Sequence, residues 1–220
     1  CQRGSLGSLV YDLSKLEAHI KNLRDNYNVG FLTVEDEDFG SHKKYSYQVA
    51  ELFHKYNFLW WACGVRCTSV DEADVIHYKK NGCCGLKFGI ESGSQTMLDI
   101  MEKKFYVKDI KQAIFACIDH GIYPPPDGFM VGMPGETLKT AIEAGKLMGE
   151  IAARIGASPG LIYGERDFCY AIPYVGTPLY EYGKQLGLVG QNLDEEEKYL
   201  ELTSSVAAYK RYYINFNGAP

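Results

Sequence analysis

The stretches LKFGIESGSQ (residues 86–95) and DGFMVGMPGET (residues 127–137) share one plan and decide the fold class. In each, a short apolar strand runs into a glycine-rich turn that holds a glutamate, Glu91 or Glu136, and a helix is predicted to follow. In parallel α/β folds, ligands bind at the carboxyl ends of strands, because loops and helix amino termini converge there. The two stretches therefore predict one composite site for a polar ligand that carries an amine. The alternative is that the glycines only make tight turns and the glutamates cap helices.

Strands and helices alternate along most of the chain at the spacing of βα units, which predicts a parallel sheet with helices outside it. After an opening helix at residues 14–27, the predicted strands are 29–34, 58–65, 84–90, 128–131 and 167–172. The helices that follow them are predicted at 45–56, 71–80, 107–120, 138–155 and 177–186. A last helix, with an acidic start and a basic end, is predicted at 194–213. We therefore expect a core domain at residues 1–190 and a helical extension at residues 191–220.

Composition narrows the class of protein. A chain of 220 residues, 46% of them hydrophobic and 23% charged, is typical of one globular domain. Its net charge of −5 gives no electrostatic reason to expect nucleic acid as a partner. We find no apolar stretch of about 20 residues that could span a bilayer, and no signal peptide. Seven cysteines at irregular spacing do not suggest a disulfide framework, which favours a reducing cytoplasm.

Three further motifs accompany the two stretches in a fixed order: DEDF at residues 36–39, Lys103 after MLDIM at 97–101, and PYVGTP at 173–178. In this order the motifs resemble the radical S-adenosylmethionine (SAM) superfamily, and most closely the branch with the cobalamin-dependent and methylthiotransferase-type enzymes. The resemblance runs from Cys1 to about residue 188. It implies a TIM-like partial (β/α)6 barrel. Because only five strands are predicted, we expect the first barrel strand to be missing from the chain.

Enzymes of this superfamily hold a 4Fe–4S cluster with three cysteines in a Cys-x3-Cys-x2-Cys loop, and the cluster cleaves SAM reductively to start radical chemistry. The resemblance thus implies SAM and a 4Fe–4S cluster as cofactors, cobalamin as a further candidate, and an electron donor such as flavodoxin or ferredoxin. The chain holds no complete copy of the loop, and Cys1 stands where the third ligand is expected. We therefore expect a truncated core that is inactive alone. Cys63 and Cys67 are no substitute, because four residues along a strand separate thiols by about 13 Å.

The resemblance also assigns positions that bind the amino-acid and ribose parts of SAM. It places Asp36 and Glu37 at the methionyl amine, partly through backbone carbonyls, and Glu91 and Ser92 near the ribose and the amino acid. Lys103 matches the basic residue for the SAM carboxylate or for a nearby acid. For Lys103, the alternative of a solvated surface lysine stays open.

Gly132, Gly135 and Glu136 match the turn on the adenine side of SAM, where glycine lets the backbone approach an aromatic ring. Glu136 has an alternative role as a carboxylate at a helix amino terminus. Pro173, Gly176 and Thr177 match the turn after the last strand, whose role is more often structural.

The leading hypothesis for function is a radical SAM enzyme that acts on a small molecule or another substrate that these residues do not identify. One alternative is a non-radical (β/α)-barrel lyase in which Glu91 and Glu136 work with a divalent metal. Another is a binding domain without chemistry. A further expectation concerns strand 29–34, whose edge would be unpaired if the first barrel strand is missing. Such edges invite pairing with another chain, which predicts self-association.

Overall fold

The computed structural model describes residues 10–156, 168–204 and 214–218. The strands are β1 (Phe31–Glu35), β2 (Leu59–Val65), β3 (Cys83–Phe88), β4 (Phe129–Val131) and β5 (Phe168–Tyr170). The helices are α1 (Leu13–Tyr27), α2 (Lys43–Lys55), α3 (Glu72–Lys80), α4 (Gln95–Ile100), α5 (Val107–Asp119), α6 (Leu138–Ile155), α7 (Pro178–Gln185) and α8 (Leu193–Thr203). The five predicted strands are confirmed within a few residues at each end.

All strand pairing within these residues is parallel, in the order β1-β2-β3 for one sheet and β4-β5 for the other. Two isolated parallel bridges, Gly85 with Tyr123 and Glu91 with Phe129, connect β3 to the segment that contains β4. The five strands thus follow one another side by side in chain order. The predicted α/β class with parallel strands and helices is confirmed.

The main hydrophobic core lies between the first sheet and its helices. Trp60, Ala62, Leu86 and Phe88 are at most 1% exposed and pack in one cluster with apolar residues of the helices. Alternate residues of a strand point to opposite faces. The Phe31 side chain lies on the face of the sheet opposite to this core and is 50% exposed. The helices therefore cover one side of the sheet and leave the other side open over the described residues.

Helix boundaries follow from local capping. Asp71 and Asp74 form a capping box at the start of α3, and Thr137 and Thr140 form one at the start of α6. Gly156 ends α6 in the left-handed conformation that commonly stops helices. The sequence predicts the short helix α4 only as a helix after the Glu91 turn, without bounds. Among the described helices, none combines the length and the apolar content that a membrane span requires.

A second, smaller core is formed near the carboxyl end of the chain. Its buried members are Tyr180, Val189, Tyr199, Ile214 and Phe216. The predicted helix at 194–213 is observed as α8 up to Thr203, and residues 205–213 lie outside the described residues. Because the small core draws residues from both sides of position 190, the domain boundary there stays a prediction.

We propose that the 220-residue chain self-associates through the edge of β1, which pairs only with β2 in the described part of the chain. Light scattering should give a mass that rises with protein concentration. Phe31→Lys places a charge at this edge and should reduce the association. Leu59→Lys is the matched control, because Leu59 is the register partner on β2 and is similarly exposed, at 57% against 50%. A chain that stays monomeric at every concentration would contradict the proposal.

Candidate functional site

The predicted site residues lie in the loops that leave the carboxyl ends of β1, β3 and β4. Asp36 and Glu37 follow β1 directly, Glu91 and Ser92 follow β3, and residues 132–136 follow β4. Because neighbouring strands are parallel, these loops leave the same edge of the sheet. The sheet thus brings together residues that are up to 100 positions apart in the sequence.

Glu91 joins the two sheets through its backbone. Its N–H donates to the Gly128 carbonyl at 2.8 Å, and its own carbonyl accepts from the Met130 N–H at 2.8 Å. Its φ of 62° lies in the left-handed region, which non-glycine residues seldom adopt. Such a conformation costs about 1–3 kcal/mol and is concentrated at functional sites. Glu91 is therefore held in a strained conformation at the junction of β3 and β4.

The Glu91 side chain forms an ion pair with Lys103. Lys103 Nζ lies 2.5 Å from Glu91 Oε1, and the side chains are only 31% and 18% exposed. Lys103 follows α4, and its N–H donates to the Leu98 carbonyl at 3.0 Å in the turn that ends this helix. The prediction that Lys103 serves a nearby acid fits this contact, and the solvated surface lysine does not. A partly sheltered pair of opposite charges thus lies at the strand-end edge.

Arg66 connects this ion pair to the loop after β1. Its guanidinium Nη2 donates to the Lys103 carbonyl. The guanidinium also lies over the Phe105 ring, with Cζ 5.3 Å from the ring centroid. Its backbone N–H donates to Asp38 Oδ1 at 3.4 Å. The loop after β1, the first residue after β2 and the Glu91–Lys103 pair are therefore linked by direct contacts.

Asp36 and Glu37 are exposed after β1. Asp36 Oδ1 accepts from the N–H groups of Glu37 and Asp38 at 2.6 and 3.2 Å, which fixes the turn. The Asp36 carbonyl packs against Gly64 of β2, where a Cβ atom would lie 1.8 Å from that oxygen. Only glycine allows the loop to approach β2 so closely, and Gly64 also has a φ of +70°.

Ser92 lies in a tight turn that packs against α6. It is 3% exposed, and its hydroxyl accepts from the Ser94 N–H at 3.1 Å. At Gly93, a Cβ atom would lie 2.7 Å from the Cβ of Leu147 on α6. Ser92 is therefore less open to a ligand than Asp36, Glu37 or Glu91, and its predicted role at the ribose stays a prediction.

The turn at residues 132–136, which we call the adenine-side turn, is closed by its own side chain. Glu136 Oε2 accepts from the Gly132 N–H at 2.7 Å. Gly132 and Gly135 both have left-handed φ angles, of 86° and 83°. The N-cap of α6 is Thr137, and that of α4 is Ser94. Neither glutamate is the N-cap residue of a helix, but Glu136 directly precedes Thr137, so its alternative role as a carboxylate at the amino terminus of α6 stays a prediction.

The described cysteines do not form a metal centre. No group of three or more candidate metal ligands occurs in residues 10–156, 168–204 and 214–218. Burial raises the pKa of the Cys67 and Cys117 thiols to about 12, and burial followed by the Glu35 charge raises the pKa of Cys63. Metals bind the thiolate, which these environments disfavour. These residues do not fit a 4Fe–4S cluster, and Cys1, the predicted ligand, lies outside the described residues.

A cavity of about 670 Å³ lies between the loop after β2 and three helices. Cys67 and Thr68 of that loop line it, together with residues from α3, α5 and the end of α6 that include Glu72, Asp109 and Arg154. Two of its charged groups are already partnered: Glu72 with His120 at 2.9 Å and Arg154 with Asp119 at 2.8 Å. The contacts at the strand ends are a better guide to the site than this cavity.

Sequence reasoning did not single out two residues that shape the site, Gly64 and Asn217. Asn217 Oδ1 accepts from the Gly135 N–H at 2.8 Å, and its Nδ2 donates to the Met133 carbonyl at 3.0 Å. A glycine inside an otherwise apolar strand is a signal of close backbone approach, and could have identified Gly64.

We expect Gly64→Ala to destabilise the fold and displace the loop at Asp36. The added methyl group collides with a backbone oxygen in a left-handed residue, so the free energy of unfolding should fall by at least about 1–3 kcal/mol. Gly145→Ala is the matched control, since Gly145 lies in α6 with open space around it and should gain up to about 1 kcal/mol. Urea unfolding measures both. Equal stability of Gly64→Ala and the wild type would contradict the close approach.

No protein-family model matches the chain. The anaerobic magnesium-protoporphyrin IX monomethyl ester cyclase of Rubrivivax gelatinosus is 28% identical over 63% of this chain and 25% of that protein. An uncharacterized methyltransferase of Pyrococcus horikoshii is 26% identical over 71% of this chain and 32% of its own length. The chain thus spans about a third or less of the curated relatives it matches.

The fold is similar to that of a solved enzyme, the radical S-adenosylmethionine methyltransferase TsrM of Kitasatospora setae, determined with cobalamin and a 4Fe–4S cluster bound. The TM-score is 0.62 over 79% of this chain and 34% of that chain, at 16% identity. At that identity the likeness shows the fold. Together, these similarities in sequence and fold support the resemblance of the chain to radical SAM proteins of the cobalamin-type branch.

Proposed function

We propose that this chain is the core of a radical SAM enzyme that cleaves SAM reductively at a 4Fe–4S cluster. One observation carries the proposal. Glu91, in a left-handed conformation between β3 and β4, holds a sheltered ion pair with Lys103 at the strand-end edge. A charged and constrained position of this kind can bind a ligand that carries both an amine and a carboxylate, as SAM does.

The described residues suit SAM in three parts. The carboxylates and carbonyls after β1, at Asp36 and Glu37, offer acceptors for the ligand's ammonium group. Lys103 is the cation that can hold the ligand's carboxylate, while Glu91 accepts from its hydroxyl or ammonium groups. The adenine-side turn supplies exposed backbone without a side chain at Gly135, against which a flat ring can pack, while Gly132 is buried beneath it.

The cluster would supply the electron that cleaves SAM, and we propose Cys1 as one of its ligands, with the others outside this sequence. The six described cysteines do not fit that role, because no three metal-ligating side chains come together among the described residues. We further propose a TIM-like partial (β/α)6 barrel, of which the five described strands would be the last five. TsrM was solved with cobalamin bound, which supports cobalamin as a further cofactor.

The relatives suggest the kind of reaction. One is a cyclase of magnesium-protoporphyrin IX monomethyl ester, and others are methyltransferases. We propose a small-molecule substrate, a cytoplasmic location and an electron donor such as flavodoxin or ferredoxin. Because the chain spans only part of its relatives, each of these proposals concerns the longer protein in which the core acts.

The lyase alternative has less support from the contacts. It needs Glu91 and Glu136 to share a divalent cation. Glu91 is instead paired with Lys103, and Glu136 accepts a hydrogen bond from the Gly132 N–H. The alternative of a binding domain without chemistry is separated from the proposal by experiment.

That experiment is anaerobic reconstitution of the longer parent protein with iron and sulfide. We expect a brown protein with thiolate-to-iron absorption that cleaves SAM when reduced. The 220-residue chain treated in the same way should stay colourless, because its described cysteines do not gather into a group that could hold a cluster. A colourless parent protein would contradict the proposal and favour a lyase or a binding domain. A cluster that forms on the 220-residue chain would contradict our assignment of the ligands.

Glu91→Gln tests the site residue directly in the reconstituted parent protein. Glutamine keeps the shape but loses the charge, so SAM binding should weaken by about one to two decades while the cluster absorption remains. Glu17→Gln is the matched control, because Glu17 forms a comparable ion pair with Lys55, at 2.6 Å, between α1 and α2. Titration with SAM measures the affinity of each variant. An affinity equal to that of the wild type in Glu91→Gln would leave Glu91 with a purely structural role.

A further inference from the structure

The carboxyl-terminal part of the chain contacts the strand-end edge in two places. The Tyr199 hydroxyl, on α8, donates to the Pro173 carbonyl after β5 at 2.7 Å. Asn217 bonds the adenine-side turn after β4 through both ends of its side-chain amide. Both contacts fall on the segments that follow the neighbouring strands β4 and β5. The small core of α7, α8 and residues 214–218 therefore lies beside the adenine end of the proposed site.

Asn217 contacts the turn as a backbone peptide would. An asparagine side chain carries one carbonyl acceptor and one NH2 donor. Here the acceptor takes the Gly135 N–H and the donor reaches the Met133 carbonyl, so two positions of one turn are fixed by one side chain. Gly135 is exposed and left-handed, and would otherwise have to be ordered by solvent. The contact thus adds to the two hydrogen bonds that Glu136 makes within the turn, where its N–H donates to the Met133 carbonyl at 3.1 Å and its Oε2 accepts from the Gly132 N–H.

Residues 214–218, which we call the strap, are anchored in the small core. Ile214 and Phe216 are each 8% exposed and pack with Tyr180, Val189 and Tyr199. The Phe216 ring stacks on that of Tyr182 with centroids 6.0 Å apart. Asn217 therefore belongs to an anchored segment, and its position depends on how the small core is packed.

From these contacts we infer that Asn217 is a positioning residue that holds the adenine-side turn in the shape that receives the nucleoside. The inference rests on the proposed function, because that function assigns the adenine ring to this turn. It adds a role for the carboxyl-terminal strap: it sets affinity for the nucleoside part of SAM without touching the reacting groups. A loss of the strap contact should thus raise KM for SAM and leave kcat unchanged.

The test compares Asn217→Ala, Asn217→Asp and a matched control. Asn217→Ala removes both hydrogen bonds, whereas Asn217→Asp keeps an acceptor for the Gly135 N–H and loses the donor to Met133. Asn26→Ala makes the same deletion on α1, where the Asn26 amide contacts only Asn22 among the described hydrogen bonds. Amide hydrogen exchange at Gly135, resolved by NMR, reports the contact itself. Titration of the reconstituted parent protein with SAM and with adenosine reports the ligand.

We expect faster exchange at Gly135 in Asn217→Ala, and about three- to tenfold weaker binding of both SAM and adenosine. Asn217→Asp should retain slower Gly135 exchange than Asn217→Ala, and Asn26→Ala should change neither readout. Unchanged exchange, or faster exchange with unchanged affinity for SAM and adenosine, would overturn the inference while the proposed function stands. A wild-type protein that binds no SAM would overturn the proposed function, and the nucleoside role of Asn217 with it.

Discussion

The backbone of Glu91 is the constraint on which the strand-end edge depends. Its two hydrogen bonds to Gly128 and Met130 join the end of β3 to β4, in addition to the bridge of Gly85 with Tyr123. The same residue directs its carboxylate to Lys103, so the junction of the sheets and the charge of the site are fixed together. A change in the sheet at this point therefore moves the Glu91 carboxylate. A ligand that binds this carboxylate in turn acts on the residue that joins β3 to β4.

The conformation of Glu91 differs in origin from that of the left-handed residues that end helices. Asn28 and Gly156 end helices, where a left-handed residue is the usual stop. Glu102 likewise follows α4 within its closing turn. Glu91 follows a strand and caps no helix, so helix termination does not explain its φ of 62°. The two sheet hydrogen bonds and the ion pair hold Glu91 in this conformation.

How far the sequence carried the prediction depends on the range of each interaction. Periodicity and turn residues predicted the five strands and most helices, because those signals are local. The charged residues after β1, β3 and β4 were placed at one edge by the parallel topology alone. The contact of Asn217 with Gly135 was not predictable, because it joins residues 82 positions apart through a small core that has no sequence signature. The Gly64 approach depends likewise on the path of the loop at Asp36.

The ion pair of Glu91 with Lys103 also limits which ligands can bind at this edge. Separating a partly buried pair leaves two charges uncompensated, which is costly in an environment less polar than water. A ligand with a single charge would compensate one partner and leave the charge of the other unpaired. A ligand with both an ammonium and a carboxylate can insert with each charge matched, so the cost of separation is offset on both sides. This pairing of charges supports the proposal of a ligand that carries both an ammonium and a carboxylate group.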